Sequence, residues 1–514
     1  MPGPLAGATP SGGRLRGRYA AARVTPLTKE LIVNVGLQET RAALLEDGLL
    51  AEILIERSDH PAILGNLYLG RISNVLPGMQ SAFVDIGLDR DAFLYVTDLL
   101  PLESAEEEPI GIKRPIPSIE SLLKAGQDLL VQVVKEPLGR KGPRVTAQIS
   151  LPGRRLVFLP GGKGRMVSRR VELEAERERL KQLAQAIPGD GGFILRTAAA
   201  GISLSELQQD AETLRHRWAE IVEGSSGASV PVCLHREAEM PVRIMRDLLT
   251  ETVSRVMVDE AVTLERCRDY ARFSMPHLVP RIEHYNRPEP IFDFYGIERE
   301  IQKALRRRVW LPSGGYLLIH PTEALVAIDV NTGKFVGSSD FEETALHTNL
   351  EAAREIVRQI RLRDLGGILV IDFIDMPSLE NRAQLAETLE QALKSDRARS
   401  RVLQISEFGL VEITRQRIRQ GLEALMCGPC PTCRGSGRLR NPATVRLEVM
   451  KELKKSAALV PQGTFRLRVH PDVAASIRAN WTVFLQESGV SGEAAVQVEP
   501  VSELHPEDFQ ILIS

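Results

Sequence analysis

Two aspartates stand alone in apolar runs, Asp329 in Leu325-Val326-Ala327-Ile328-Asp329-Val330 and Asp372 in Ile368-Leu369-Val370-Ile371-Asp372-Phe373. A carboxylate where a buried strand should carry hydrocarbon is costly unless a cation or several donors satisfy it. Two of them at matching positions predict a shared divalent metal. Asn331 follows Asp329 by two residues, so strand alternation aims the carboxamide to the same side as the carboxylate. One or two carboxylates, completed by water and substrate phosphate, are the usual donor set for Mg²⁺. Asp375, Glu323 and Asp340 are further acidic candidates near the same edge. The competing reading is that each aspartate only caps the loop after its strand.

A second chemistry lies in Cys430-Pro431-Thr432-Cys433-Arg434-Gly435-Ser436-Gly437, a knuckle of the kind that wraps zinc. A structural zinc needs four ligands, and no separate second Cys-x-x-Cys occurs in the chain, so the other thiolates would come from a second copy. Cys427 makes an overlapping Cys-x-x-Cys with Cys430, which leaves open a redox pair or an incomplete three-thiol site. Cys233 and Cys267 stand apart and read as small core residues. A third candidate is Phe83 and Phe93, ten residues apart on neighbouring β-type runs, with Lys141 after the last of those strands. An OB-fold can use such a set to stack bases and hold phosphates, although a single strand phenylalanine is more often core.

The elements that must position these groups follow from periodicity. Short β-type runs appear at Leu31 to Val35 and Leu49 to Ile55, and the closely spaced runs that follow at Tyr68 to Ile72, Ser81 to Ile86, Ala92 to Val96 and Leu129 to Val134 predict a small antiparallel barrel. Its acidic, proline-rich loop from Glu103 to Pro117 reads as an insertion. Helices are expected over Val171 to Ala186 and Ser203 to Val222, around a central strand at Gly192 to Arg196. Residues Glu239 to Cys267 and Gly296 to Arg308 also read as helical, and Gly314 to Asn331 as two strands broken at His320-Pro321. Apolar residues Leu346, Leu350, Ala353, Val357 and Ile360 share one face of a helix stopped by Gly366-Gly367, after which the Asp372 strand begins. Strand, helix, strand is the grammar of a layered α/β unit. It would be completed by a helix at Leu379 to Leu393, a strand at Val402 to Ser406 and a helix at Glu412 to Met426. The last 70 or so residues read as a small α/β module.

The chain has 514 residues, 43% hydrophobic and 26% charged, enough for several cores. Net charge is only -2, so a polyanionic partner requires local basic patches. Candidates are Arg169 with Arg170, Arg306 to Arg308, and Arg415, Arg417 and Arg419 spread around the last helix, each equally readable as a solvated face. Residues 1 to 25 form a basic, Gly- and Pro-rich tail that reads as disordered. Without an apolar run of membrane-spanning length or a secretory signal, a cytoplasmic location is expected.

Three stretches, Gly78-Met79-Gln80-Ser81-Ala82-Phe83-Val84-Asp85-Ile86-Gly87, Ala327-Ile328-Asp329-Val330-Asn331-Thr332-Gly333 and Leu362-Arg363-Asp364-Leu365-Gly366-Gly367 running on to Asp372-Phe373-Ile374-Asp375-Met376, resemble the ribonuclease E/G family, on its ribonuclease G side. The resemblance runs from about Leu27 to the C-terminus and includes the Cys430 knuckle. It implies a metal-dependent endoribonuclease that cuts single-stranded RNA to 5′-phosphate and 3′-hydroxyl ends, in ribosomal RNA processing and messenger RNA decay. Asp329 and Asp372 would hold Mg²⁺, with Asn331 hydrogen-bonding beside them. Phe83, Phe93 and Lys141 would bind RNA. Gly153, Val157, Arg196 and Thr197 would sense a 5′-monophosphate, whereas the residues alone favour a surface salt bridge for Arg196. Cys430 and Cys433 of two chains would share Zn²⁺, giving a homodimer or a dimer of dimers.

The implied architecture is multidomain, α/β and β. A ribonuclease H-like domain (26–60 plus 241–304) would hold an inserted OB-fold RNA-binding domain (61–146). A 5′-sensor domain (147–240), a deoxyribonuclease I-like catalytic domain (305–426), a zinc-link (427–440) and a small C-terminal domain (441–514) would follow. Two departures from the family pattern stand out: Glu407 replaces a basic residue, and His320-Pro321 replaces a more acidic and polar pair. The alternative function is a non-catalytic OB-fold RNA-binding adaptor dimerised through zinc, which has no need of Asp329, Asn331 and Asp372. A chaperone-like zinc module is disfavoured by the single cysteine motif.

Overall fold

A computed structural model describes residues 28–59, 62–100, 117–137, 141–333, 341–403, 406, 409–417, 419–490 and 495–514. The basic tail, most of the acidic loop, Asp340 and Glu407 lie outside them. The chain divides into two compact units, Met1–Glu423 and Ala424–Ser514. It is a mixed α/β multidomain protein that includes a closed β-barrel. Among the described residues, no helix is long and apolar enough to cross a membrane.

The first sheet begins as a meander of Lys29–Val35, Glu39–Glu46 and Leu49–Arg57. Asp47 and Gly48, both at positive φ (49° and 78°), close its two-residue turn, the backbone that matches strand twist in a hairpin. The sheet is completed from far along the chain by Val253–Val258, parallel to Lys29–Val35, and by Ile282–His284. Residues Glu239 to Cys267 are therefore not one helix but helix Met240–Leu248, strand Val253–Val258 and helix Ala261–Ser274. The two helices pack on the sheet around Leu31, Val33, Val256 and Cys267. Burial pushes the Cys267 thiol up to about 12, in keeping with a core residue.

Between the two passes through that sheet, Leu67–Leu76, Ser81–Asp85, Ala92–Tyr95, Arg144–Thr146 and Asp128–Lys135 close into a five-stranded, OB-like barrel. Leu67–Leu76 pairs on both edges, and only Ala92–Tyr95 with Arg144–Thr146 runs parallel in the ring. A four-stranded sheet follows, built from Leu151–Pro152, Leu156–Leu159, Arg165–Val167 and Gly192–Leu195. Helices Glu174–Gln185 and Leu204–Ser225 contribute to its core, and a Ser203/Glu206 capping box starts the second.

The six-stranded sheet that carries the aspartates has the order Arg308–Trp310, Tyr316–Pro321, Leu325–Asn331, Gly367–Asp372, Leu410–Arg415, Ser400–Val402. Val326, Ile328 and Val330 point to one face and are buried with Ile356, Ile360 and Leu385 of helices Phe341–Arg363 and Leu379–Leu393. The expected helix over Glu412 to Met426 is instead strand Leu410–Arg415 followed by a short helix, Leu422–Met426. Val411 and Ile413 are buried while Glu412 and Thr414 are exposed, a period of two that overrides the local helix preference. Arg415 accordingly lies in a strand, buried between Asp364 (2.6 Å) and Asp396 (2.7 Å), and does not share a helix with Arg417 and Arg419.

Helix Phe341–Arg363 stops with Asp364 in the left-handed region (φ 49°), its carboxylate held by Arg415, so the parallel strand starts at a fixed point. The same helix is tied to the first sheet by Arg361, which donates to Glu46 (2.8 Å) and Glu52 (3.0 Å). In the second unit, helices Pro442–Leu459 and Pro471–Ala479 pack with a three-stranded sheet of Phe465–Val469, Val496–Pro500 and Phe509–Ile513.

Candidate active site and its surroundings

The parallel register sets Asp329 directly opposite Asp372, at the C-terminal ends of adjacent strands. Paired residues on neighbouring strands sit about 4.8 Å apart and project to the same face. That face is the open one. Ala327 is exposed, Asp329 and Asn331 half-buried and Asp372 exposed, so the carboxylates are not embedded in hydrocarbon as their apolar flanks suggest. The flanking Ile, Leu and Val belong to the opposite, core-facing side of the same strands. Burial cost therefore argues nothing for a metal here. Juxtaposition does, because two anions share one register with no Lys or Arg in ion-pair contact among the described residues.

Asn331 spends one N–H on Asp329 (2.8 Å), fixing that carboxylate and leaving its own carbonyl oxygen as a further donor atom. Partial desolvation, then the negative charges of Asp329 and Asp375, hold the Asp372 carboxyl above the usual carboxylate range. Asp375 is thus close to the pair. Glu323 is not, since it lies in the turn that begins the Asp329 strand, at the far end of the sheet. Among the described residues no three His, Cys, Asp or Glu side chains converge. Two carboxylates and a carboxamide on an open face match a hard cation that keeps most of its waters, such as Mg²⁺, and are too few for an all-protein cage.

In the barrel, Phe83 and Phe93 are paired across Ser81–Asp85 and Ala92–Tyr95, with ring centroids 5.6 Å apart at 74°. Both are half-buried and face outward, while Ala82, Val84 and Leu94 fill the interior. Tyr95 extends the set, 4.6 Å from Phe93, with the Arg144 guanidinium 4.6 Å above its ring. Tyr95 was open to discovery from the sequence, lying two residues beyond Phe93 on the same side of the strand. Lys141 is exposed on the approach to Arg144–Thr146. There Gly142 permits a close pass, as a Cβ would run into the Asp91 carbonyl oxygen.

Gly153, Val157, Arg196 and Thr197 gather at one end of the four-stranded sheet. Arg196 donates to the Gly153 carbonyl (2.8 Å) and pairs with Asp247 (2.8 Å). Asp247 is also gripped by Arg246 (3.0 Å), which reaches Glu237 (2.9 Å) in turn. Thr197 is exposed. It opens on a cleft of about 1160 Å³ lined by Arg169, Arg170, Arg177, Lys394 and Arg399 among others. The Arg169-Arg170 pair thus lies at this cleft and not on an isolated solvated face.

In the second unit, Cys427 and Cys430 are exposed and Cys433 half-buried. Arg434, at φ 50°, returns its N–H to the Cys430 carbonyl (2.7 Å), and Gly435 continues the turn at φ 94°. Hydrogen bonds from the Cys433 and Thr432 amides lower the Cys430 thiol below its usual range, favouring the thiolate that zinc requires. The knuckle supplies two thiolates, half of a structural site.

Comparison with known proteins shows the family to which the chain is similar. Residues 150–418 match the ribonuclease E/G family. The chain is 42% identical over 494 residues to ribonuclease G of Escherichia coli strain K12, covering 95% of this chain and all of that protein. It is 44% identical to ribonuclease G of Haemophilus influenzae over 446 residues, 87% of this chain and 91% of the other. Ribonuclease E of Nostoc sp. is 40% identical over 443 residues, covering 85% of this chain and 62% of that longer protein.

Proposed function

This chain belongs to the ribonuclease E/G family, and on that premise we propose that it cuts single-stranded RNA at Asp329 and Asp372, using Mg²⁺ and leaving 5′-phosphate and 3′-hydroxyl ends. It is an endoribonuclease, a hydrolase. The observation that carries the site is the direct pairing of two carboxylates on an open sheet face, with no ion-pair partner among the described residues. When bound, Mg²⁺ neutralises the phosphoryl oxygens and lowers the pKa of water. Asp329 and Asp372 hold it from adjacent strands, and Asn331 keeps the Asp329 carboxylate in one orientation. A bare carboxylate pair repels the RNA backbone, so the same residues bind substrate only with the cation. An adaptor gains nothing from such a pair.

Arg196, with Thr197 and the backbone at Gly153 and Val157, receives a 5′-monophosphate and stimulates cleavage. Phe83, Phe93 and Lys141 of the barrel hold the strand, and the cellular tasks are ribosomal RNA processing and messenger RNA decay in the cytoplasm. The first sheet and its helices constitute a ribonuclease H-like domain interrupted by the OB-fold, and the Asp sheet a deoxyribonuclease I-like domain. Zn²⁺ shared through Cys430 and Cys433 links two chains.

Asp372→Asn tests the site. Cleavage of a 5′-monophosphorylated oligonucleotide at saturating Mg²⁺ is expected to fall below detection, while affinity for the intact RNA at that Mg²⁺ concentration stays within about threefold. Wild-type cleavage by this variant removes the pair from the mechanism. Cys430→Ser with Cys433→Ser is expected to yield zinc-free monomers by metal analysis and sedimentation, and a zinc-loaded dimer would contradict the shared site.

A further inference from the structure

The open face of the Asp sheet carries an aromatic pair beside the carboxylates. Strand pairing sets Trp310 opposite Tyr316 and Tyr316 opposite Asn331. The next row across the sheet runs Arg308, Leu318, Asp329, Asp372. Directly opposed residues project from the same face, so Trp310, Tyr316 and Arg308 share the surface of the carboxylate pair. Side-chain geometry agrees: the two rings lie 5.4 Å apart at 64°. The Arg308 guanidinium sits 4.6 Å from the Tyr316 centroid and 5.6 Å from that of Trp310. Val309 and Leu317, on the alternate positions, pack into the core.

Trp310 is 62% exposed, so its ring contributes little to the core of this sheet. What it offers is a flat π-surface held in place by Tyr316 and Arg308. From Asn331 the platform begins one strand away and extends over two strand spacings of about 4.8 Å each. Single-stranded RNA is held in general by aromatic rings that stack on bases and cations that follow the backbone. Arg306 and Arg307 are exposed next to Arg308, which gives this flank a cluster of positive charge.

We propose that Trp310 and Tyr316, steadied by Arg308, form a stacking platform for one nucleobase of single-stranded RNA adjoining the scissile phosphate, on the Asn331 side of the carboxylate pair. The platform reads a π-face, so it accepts any of the four bases and discriminates against a missing one. The inference rests on the reading of Asp329 and Asp372 as the cleavage centre.

The test uses the full chain and oligonucleotides of one sequence, each with a single abasic nucleotide at a successive position around the cleavage site. Trp310→Ala is expected to lower kcat/KM about tenfold through KM, with Trp310→Phe recovering most of the loss. At one position the abasic substitution is expected to cost the wild-type enzyme about tenfold and the Trp310→Ala enzyme nothing. Unchanged kcat/KM in Trp310→Ala, or equal abasic losses in both enzymes at every position, overturns the platform. So does altered sedimentation of Trp310→Ala with unchanged kcat/KM, which assigns the ring to a protein contact. Adding Trp310→Ala to Asp372→Asn separates the two readings. An active Asp372→Asn enzyme sinks the catalytic reading, whereas an inactive one that binds RNA as well with Trp310 as without it sinks the platform alone.

Discussion

Carboxylates meet in two regions of the first unit, and their surroundings are opposite. At the end of the Asp sheet, Asp329 and Asp372 face one another with no cationic side chain in contact among the described residues. Under the same sheet, Glu46 and Glu52 close on Arg361, Glu52 also takes Arg397, and Asp364 and Asp396 share Arg415. In the second region charge is cancelled within the fold, which fixes helix Phe341–Arg363 and the strands around it. In the first, the fold brings like charges together, and no side chain among the described residues pairs with them. Arginine is suited to the inner role because its planar fork serves two carboxylates at once.

The largest test of this contrast is Glu52→Gln. Burial alone would raise the Glu52 carboxyl, but Arg397, Arg361 and Arg419 outweigh it and hold it at about 2. Its pKa is lower in the folded than in the unfolded chain, so its stabilisation is present above about pH 4.5 and lost as pH falls toward 2. Glu52→Gln is expected to destabilise the first unit by about 3 kcal/mol at pH 7. In denaturant titrations the difference from wild type should shrink steadily below pH 4.5. A pH-independent difference would show that lost packing, not charge, is responsible. Asp372→Asn is predicted to differ in sign: removing one of two repelling anions leaves metal-free stability equal or raised by up to about 1 kcal/mol, although cleavage is abolished. A loss of stability on the scale of Glu52→Gln would erase the distinction between the two regions.

The smallest effect concerns a residue between these extremes. Asp247 pairs with Arg196 while Arg246 anchors it from behind, so it orients a cation that still has N–H groups to offer. Asp247→Asn is expected to reduce the preference for 5′-monophosphorylated over 5′-hydroxyl substrate about fivefold, with the 5′-hydroxyl rate unchanged. Equal losses on both substrates would mark a purely structural pair.

The Asp329 and Asp372 pairing was legible before any coordinates, because a strand, an amphipathic helix and a second strand leave a parallel neighbour as the simplest packing. What misled was the environment. Alternation in Ala327-Ile328-Asp329-Val330-Asn331 states that the aspartate faces away from Ile328 and Val330, and reading the run as uniformly buried overlooked that period of two. Strand Val253–Val258 was hidden because only Leu249 to Thr252, without Gly or Pro, separates it from a helix, and its partner Lys29–Val35 is remote in sequence. Trp310, Tyr316 and Asp247 belong to no motif. They become neighbours of the candidate site residues only through hairpin pairing or through contact between distant segments, which no local pattern encodes.

The first sheet has a consequence for synthesis. Its meander strands are translated before the strands that complete it, so Lys29–Val35 waits for Val253–Val258, and Asn34 for Asp259, 225 residues later. The barrel strands that come between are complete by Thr146. On the ribosome the barrel can therefore close while the sheet around it still lacks an edge, so the nascent chain carries a finished barrel before the frame that supports it exists.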